Sequence, residues 1–328
     1  MTSIAPSAWV ALATWVALHP LAFFLLAGVD RNDAWRARVL LVGYVAILAA
    51  LPFQVPSDEL FWRAAAATVA VSYSVKAFEL ARGKVRDSSV RSHFWRCVLW
   101  LMVPHDPRWP TSASARADNR RKVPARIGRA LLKGAAGAAF SYLGQQFAPE
   151  HWPFLLTAAV TMFQFYFFAT AIGDLVSSLA LLAGCEIDEI FVDPYLACSP
   201  ADFWSRRWNR YIARFGARYI FFPWRKLGVV WASLLVFVAS GVMHEYIVLA
   251  IFSKNARLGY MLAFFLVQWL GVTAQHVYLQ LTRGQWHLRD SLAIALHFVW
   301  FVPTTVLFFE PVGSFLDQWW IIWRPIPW

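Results

Sequence analysis

Charged side chains are scarce in this chain. They make up 15% of its 328 residues, against about a quarter in a soluble globular domain. Acidic residues are scarcer still, 19 against 30 Lys and Arg, which leaves a formal net charge of +11. The three cysteines, Cys97, Cys185 and Cys198, form no C-x-x-C and no Cys/His cluster. Neither a disulfide framework nor a zinc site is therefore indicated, and no metal is expected. No internal repeat is evident, which argues against a duplicated transporter architecture. The apolar stretch near the N-terminus lacks a basic leading region and a small-residue exit, so it reads as a first span and not as a cleaved signal peptide.

What is present is apolar: 59% of the residues are hydrophobic, blocked into long runs. Spans are predicted near 8–28, 36–54, 60–81, 127–147, 152–172, 228–252, 258–281 and 291–310. The expected fold is all-α, a polytopic membrane bundle of about eight spans with interfacial helices, forming a single membrane domain over 1–328. The fourth span is the least greasy, and its AAGAAF core reads alternatively as a close-packing face. Leu175–Ala183 is too short to cross upright and reads as an interfacial or re-entrant helix. Residues 83–124 read as a polar loop.

Charge supports this count. With the N-terminus outside, the basic residues at Arg31–Arg38, Arg82–Lys133, Arg206–Lys226 and Arg283–Arg289 all fall on one side, 25 of the 30. That is the positive-inside pattern, and it accounts for the net charge by topology and anionic headgroups with no nucleic acid. Arg-rich composition points to a bacterial inner membrane, with the endoplasmic reticulum as the other candidate.

Two features carry chemistry. In DFWSRRWNRYIARFGARYIFF, Arg206, Arg210, Arg214 and Arg218 recur every four residues, with Trp204, Trp208, Tyr211, Phe215 and Tyr219 between them. At about 100° per residue the two sets occupy opposite faces of one basic amphipathic helix, with Asn209 on the border. Such a helix holds anionic lipid, or contacts an anionic cofactor with several phosphates. The second feature is Ser240-Gly241-Val242-Met243-His244-Glu245, sixteen residues into the sixth span at His244. An ionisable residue at that depth is expensive. Ser240 and Gly241 share its helix face and are small, so free volume is expected beside the imidazole. A neutral imidazole can take the proton of a hydroxyl as it attacks a carbonyl, and an amide such as Asn209 can orient reactants. Gln268 and Gln275 share a face of span seven, and read either as an acceptor path or as interhelical hydrogen-bonding groups. Glu245 points away from His244, Asp193 and Asp202 read as turn and cap residues, and His19 and His297 receive no role.

The run FVDPYLACSPADFWSRRWN from Phe191 to Asn209, followed 35 residues later by His244 in SGVMHE, resembles the membrane-bound O-acyltransferase superfamily. Within it, the pattern is most similar to the wax-synthase branch, although Ser205 stands where that branch would have Gly. The resemblance covers roughly 185–250, the motif-bearing core. It implies acyl transfer from acyl-CoA to the hydroxyl of a lipophilic alcohol inside a membrane-embedded tunnel, with a long-chain alcohol as the first acceptor reading and a sterol, diacylglycerol or a small hydroxylated metabolite as the alternatives. His244 would be the catalytic histidine and Asn209 its polar partner. Trp204, Arg206, Arg207 and Trp208 would lie where the CoA approaches, and Ser240, Gly241 and Gln275 would line the substrate path. Acyl-CoA is a co-substrate in this reading, and no permanently bound cofactor is expected. HHxxxDG and NHxxxD patterns are both absent. Two non-enzymatic readings remain: a transporter, which would need charge lining a path through spans poor in ionisable residues, and a lipid-binding scaffold.

Overall fold

The structure is a computed structural model that describes residues 34–82, 107–146, 153–283 and 289–317, together with Ala13. The expected span 8–28, Cys97, His19 and residues 83–106 lie outside the described residues. Among those described, the architecture is helical with no strand, and one isolated antiparallel bridge joins Arg108 to Glu186. The long helices are α1 (Ala34–Ala50), α2 (Leu60–Ala81), α3 (Ala113–Arg121), α4 (Val123–Gln146), α5 (Phe154–Leu182), α6 (Arg210–Gly216), α7 (Val229–Phe252), α8 (Tyr260–Leu281) and α9 (Asp290–Phe309). Among the described residues, five helical stretches are long and apolar enough to cross a membrane: Trp35–Gln54, Phe154–Leu182, Val229–Asn255, Tyr260–Leu281 and Asp290–Leu316. The protein is an integral membrane protein. Helices α2 and α4 form over their expected ranges but are less apolar, since α2 carries Arg63, Lys76 and Glu79 and α4 carries Arg126, Arg129 and Lys133. The segment expected to be loop is helical from Ala113, where the Ser112 hydroxyl accepts from Ala115 N–H and caps α3.

The chain divides into two compact units, Met1–Pro104 with Tyr246–Arg257, and His105–Glu245 with Leu258–Trp328. In the first, Tyr44, Leu48 and Leu51 pack on Ala70, Tyr73, Ala77 and Leu80. These positions repeat at helical spacing, and the alanines let α1 and α2 approach. Arg63 is 5% exposed. Its Nε donates to the Val55 carbonyl at 2.9 Å, and its Nη1 to the Ile251 carbonyl at 3.1 Å and Ser253 Oγ at 2.8 Å. It therefore satisfies a carbonyl of the last turn of α7, which would otherwise be orphaned in apolar surroundings.

In the second unit, Ala130, Gly137, Ser141 and Gly144 form the buried stripe of α4. A Cβ at Gly137 would meet the Phe168 ring at 3.1 Å. Gln164 donates to Ser141 Oγ at 3.0 Å. The small residues of the fourth expected span are thus its packing face against α5. Helix α5 runs 29 residues without a break, about 43 Å. The separate interfacial piece expected from Leu175 is the last two turns of α5. The expected span ends at residue 172, but Asp174 is held inside the helix by Arg129 and by Lys133 at 2.9 Å. Helix α5 instead stops at Gly184, whose φ of 83° permits a Schellman turn closed by Cys185 N–H to the Ala180 carbonyl at 3.0 Å.

The acidic run after that turn ties the basic segments together. Glu186 pairs with Lys122 at 3.2 Å, Asp188 with Arg108 at 2.7 Å and with Arg214, and Glu189 with Arg126 at 2.8 Å and Arg129 at 2.9 Å. Burial alone would raise the Asp188 carboxyl. The hydrogen bonds from Arg214 and Arg108 outweigh it and bring the group from 3.8 to about 2. Much of the basic charge that the sequence assigns to topology therefore has a defined structural partner.

Candidate active site

The motif segment begins with a series of tight turns. Asp193 has a left-handed φ of 42°, and its carboxylate accepts from Tyr195 Oη at 2.9 Å. Ser199 Oγ accepts from Asp202 N–H at 3.1 Å and caps the turn Pro200–Asp202. The Asp202 carboxylate accepts from Cys198 N–H at 3.2 Å and from Arg207 Nε at 2.6 Å. Both aspartates are thus the turn and cap residues expected of them.

Phe203–Arg207 forms a π-helical turn, closed by Trp208 N–H to the Phe203 carbonyl at 2.8 Å. Trp208 is extended, and Asn209 follows with φ 35° and ψ 60°. Val192 N–H donates to the Arg207 carbonyl, and Arg210 N–H to the Ile190 carbonyl, both at 2.9 Å. A single amphipathic helix from Trp204 to Phe222 does not form. The helical phase breaks at Trp208–Asn209 and shifts again in the π turn Ala217–Phe221, so Arg206 is out of register with Arg210, Arg214 and Arg218. The cause is local: both indoles are driven into the bundle, and the backbone between them pairs with 190–192. Asn209 is among the non-glycine residue types that best tolerate the left-handed region, and its Oδ1 accepts from Ile212 N–H at 3.4 Å as the cap of α6.

Trp204 and Trp208 are packing residues. Trp204 Nε1 donates to Gln268 Oε1 at 3.3 Å, and Gln268 Nε2 donates to Thr304 Oγ1 at 2.6 Å. The fully buried Gln268 is therefore an interhelical bridge between α8 and α9. Trp208 lies 4.7 Å from the Phe191 ring and stacks on Phe203 at 5.6 Å and 10°. Gln275 Oε1 accepts from Ala201 N–H at 3.0 Å and so holds the motif segment against α8. Arg207 is committed to Asp202 and to the Asp193 carbonyl at 3.2 Å. Arg206 is exposed and has no partner among the described residues.

His244 lies on the inner face of α7, opposite the exposed stripe of Trp231, Leu235, Val242 and Leu249. Its Nδ1 is 2.8 Å from the Ser240 carbonyl. A carbonyl only accepts, so Nδ1 carries the proton, and in the neutral form of the ring Nε2 then presents a bare lone pair. Nε2 has no partner among the described residues. The ring lies 4.7 Å from Phe265 and 5.9 Å from Phe308. Phe265 touches Trp204 at 5.4 Å, and Phe308 touches Phe165, which touches Trp208 at 5.8 Å. Aromatic contacts thus connect both motif indoles to His244, Trp204 through a single phenyl ring. No hydrogen bond joins Asn209 to His244.

The free volume expected at Gly241 is occupied. A Cβ there would lie 2.8 Å from Leu262 Cδ1 and 3.0 Å from its Cα, so Gly241 is where α7 and α8 close on each other. Glu245 faces the same helix and accepts from Leu262 N–H at 2.9 Å, capping the first turn of α8 from outside. Ser240 serves through its carbonyl.

His297, which receives no role from its sequence neighbours, and Tyr166 both lie against Phe203 of the motif. His297 is 2% exposed, Tyr166 4%, and neither ring nitrogen nor the Tyr166 hydroxyl has a hydrogen-bond partner among the described residues. The available signal was the α9 stripe His297, Phe301, Thr304, Phe308, spaced to face the motif.

Residues 187–267 match the model of the Membrane bound O-acyl transferase family. The chain is similar to "Probable long-chain-alcohol O-fatty-acyltransferase 2" of Arabidopsis thaliana, 36% identical over 86 residues, 24% of this chain and 25% of that protein. It is also similar to "Acyl-CoA--sterol O-acyltransferase 1" of the same plant, 27% identical over 146 residues, 41% of each. The matched stretch thus spans a quarter of the first relative and less than half of the second. The Phe191–Asn209 motif and the His244 helix both lie inside the stretch that matches the Membrane bound O-acyl transferase family, and over that stretch the chain is similar to long-chain-alcohol O-fatty-acyltransferases.

Proposed function

We propose that this protein transfers a fatty acyl group from acyl-CoA to the hydroxyl of an apolar alcohol within the membrane, with His244 as general base. The observation that carries this reading is the lone pair of His244 Nε2, fixed by the Nδ1–H bond to the Ser240 carbonyl. Nε2 takes the hydroxyl proton as the oxygen attacks the thioester carbonyl carbon. The tetrahedral intermediate collapses with cleavage of the C–S bond, and the imidazolium returns the proton to the departing thiolate. The Ser240 carbonyl also stabilises the imidazolium between these steps.

Asn209 acts in this scheme as a positioning residue. Its left-handed turn and cap seat Trp208 and start α6, while its Nδ2 stays unpartnered among the described residues. Arg206, Arg225 and Lys226 are exposed and unpartnered there too, and supply the cations for the CoA phosphates. Arg207 supports the segment from within. The basic segments face the cytosol, where acyl-CoA is delivered, with the N-terminus on the other side. The longer similarity to a sterol acyltransferase favours a sterol as the second acceptor reading.

Labelled acyl-CoA incubated with membranes containing the protein, with long-chain alcohols and sterols offered in parallel, tests the proposal. Ester should form with the wild-type protein, and His244→Ala should abolish it with the protein still in the membrane. Normal turnover by that variant would overturn the assignment. Transport in liposomes without ester formation would replace it with the transporter reading.

A further inference from the structure

His297 is the least explained polar group in the second unit. Its ring is surrounded by Phe203 at 5.5 Å, Phe298 at 5.6 Å and Phe301 at 5.3 Å. Tyr166 touches two of the same rings, Phe203 at 5.8 Å and Phe301 at 6.3 Å, and its hydroxyl is likewise buried and without a partner among the described residues. Phenylalanine at either position would match these surroundings. Burying a donor and acceptors without partners is costly, so two such groups around one ring call for an account.

Their depth provides one. Helices α7, α8 and α9 alternate in direction, as the contacts Glu245–Leu262 and Gln268–Thr304 require. His297 is seven residues into α9, about 10 Å from the end nearest the exposed Arg206. His244 is fifteen residues into α7, about 22 Å from the same side. His297 and Tyr166 therefore occupy a layer between the exposed cations and the base. An alkyl alcohol or acyl chain carries no polar group at that distance from its reacting end. The arm of CoA, between its sulfur and its phosphates, carries two amides and a hydroxyl.

Resting on the acyl-CoA reading above, we propose that His297 and Tyr166 bind an amide or hydroxyl of that arm. The neutral imidazole offers one donor and one acceptor, and the phenol offers both, which complements an amide N–H and C=O.

The test uses the full chain in detergent, with His297→Phe and Tyr166→Phe. Three measurements are made: CoA binding by titration calorimetry, thermal stability, and ester formation from acyl-CoA and from an acyl thioester of a simple alkyl thiol that lacks amides and phosphates. Each variant should weaken CoA binding and raise KM for acyl-CoA about tenfold, the loss of one buried hydrogen bond. Turnover of the alkyl thioester should be unchanged and stability equal or higher. Unchanged CoA affinity overturns the proposal. So does lower stability with both donors slowed equally, which would mean that His297 holds a structural water. A wild-type protein that makes no ester but binds CoA, less tightly in His297→Phe, would refute the transferase reading and leave this site standing.

Discussion

Replacing Gly241 by Ala adds one methyl group at the crossing of α7 and α8. The new Cβ would lie 2.8 Å from Leu262 Cδ1 and 3.0 Å from Leu262 Cα. The Cδ1 can swing aside, but the Cα moves only with its helix, so the crossing must open by a few tenths of an ångström. Overpacking of this kind costs about 1–3 kcal/mol, or roughly 2–6 °C in Tm for a chain this long. His244 is three residues on and shares the inner face, so its Nε2 moves with the backbone. Misplacement approaching 1 Å costs up to about 100-fold in rate. The control is Gly128→Ala in α4, where nothing lies within 4 Å of the new Cβ. There the same methyl should stabilise the helix by about 0.5–1 kcal/mol. Thermal unfolding of both variants in detergent, followed by tryptophan fluorescence, with ester formation in parallel, reads the contrast. A Gly241→Ala protein as stable and as active as wild type would refute the close-crossing argument, and so would two variants that shift Tm in the same direction.

Other outcomes are expected from the same structure. His244→Asn keeps a donor for the Ser240 carbonyl but has no base, so ester formation should fall by about 10²–10⁴ with Tm nearly unchanged. Arg206→Gln should weaken CoA binding without moving Tm, whereas Arg207→Gln, which breaks the pair with Asp202, should lower stability by about 2 kcal/mol. Asp174→Asn leaves Arg129 and Lys133 short of a buried carboxylate and should destabilise by about 3 kcal/mol or more, measured by thermal unfolding. The Asp188 carboxyl is lower in the folded protein, so its two ion pairs contribute fully above pH 3.8 and are lost as pH falls towards about 2. The stability difference between wild type and Asp188→Asn should be constant at higher pH and close within that window.

Hydropathy was enough to place α1, α7, α8 and α9 near their expected ranges, because a helix in lipid must be apolar along its length whatever its neighbours are, and α2 and α4 also form where expected although each carries charged residues. The linear pattern from Phe191 to His244 was enough to show the resemblance to the membrane-bound O-acyltransferases, whose family model matches residues 187–267, since that motif is carried within one stretch of chain. What the sequence could not decide was how these elements meet. The four-residue spacing of Arg206, Arg210, Arg214 and Arg218 looked like one helix face, yet the phase breaks at Asn209 because two tryptophans enter the bundle and residues 190–192 pair with the backbone between them. The fifth span was expected to end at residue 172, yet Arg129 and Lys133 from α4 pair with Asp174 and α5 continues to Leu182. Gly241 looked like open space beside the imidazole, and Leu262 fills it. His297 received no role from the sequence, and only three-dimensional packing leaves both its nitrogens without a partner among the described residues. Composition and periodicity are properties of one segment. Register, ion pairing and unsatisfied polar atoms are properties of two segments brought together, and the tertiary structure alone sets them.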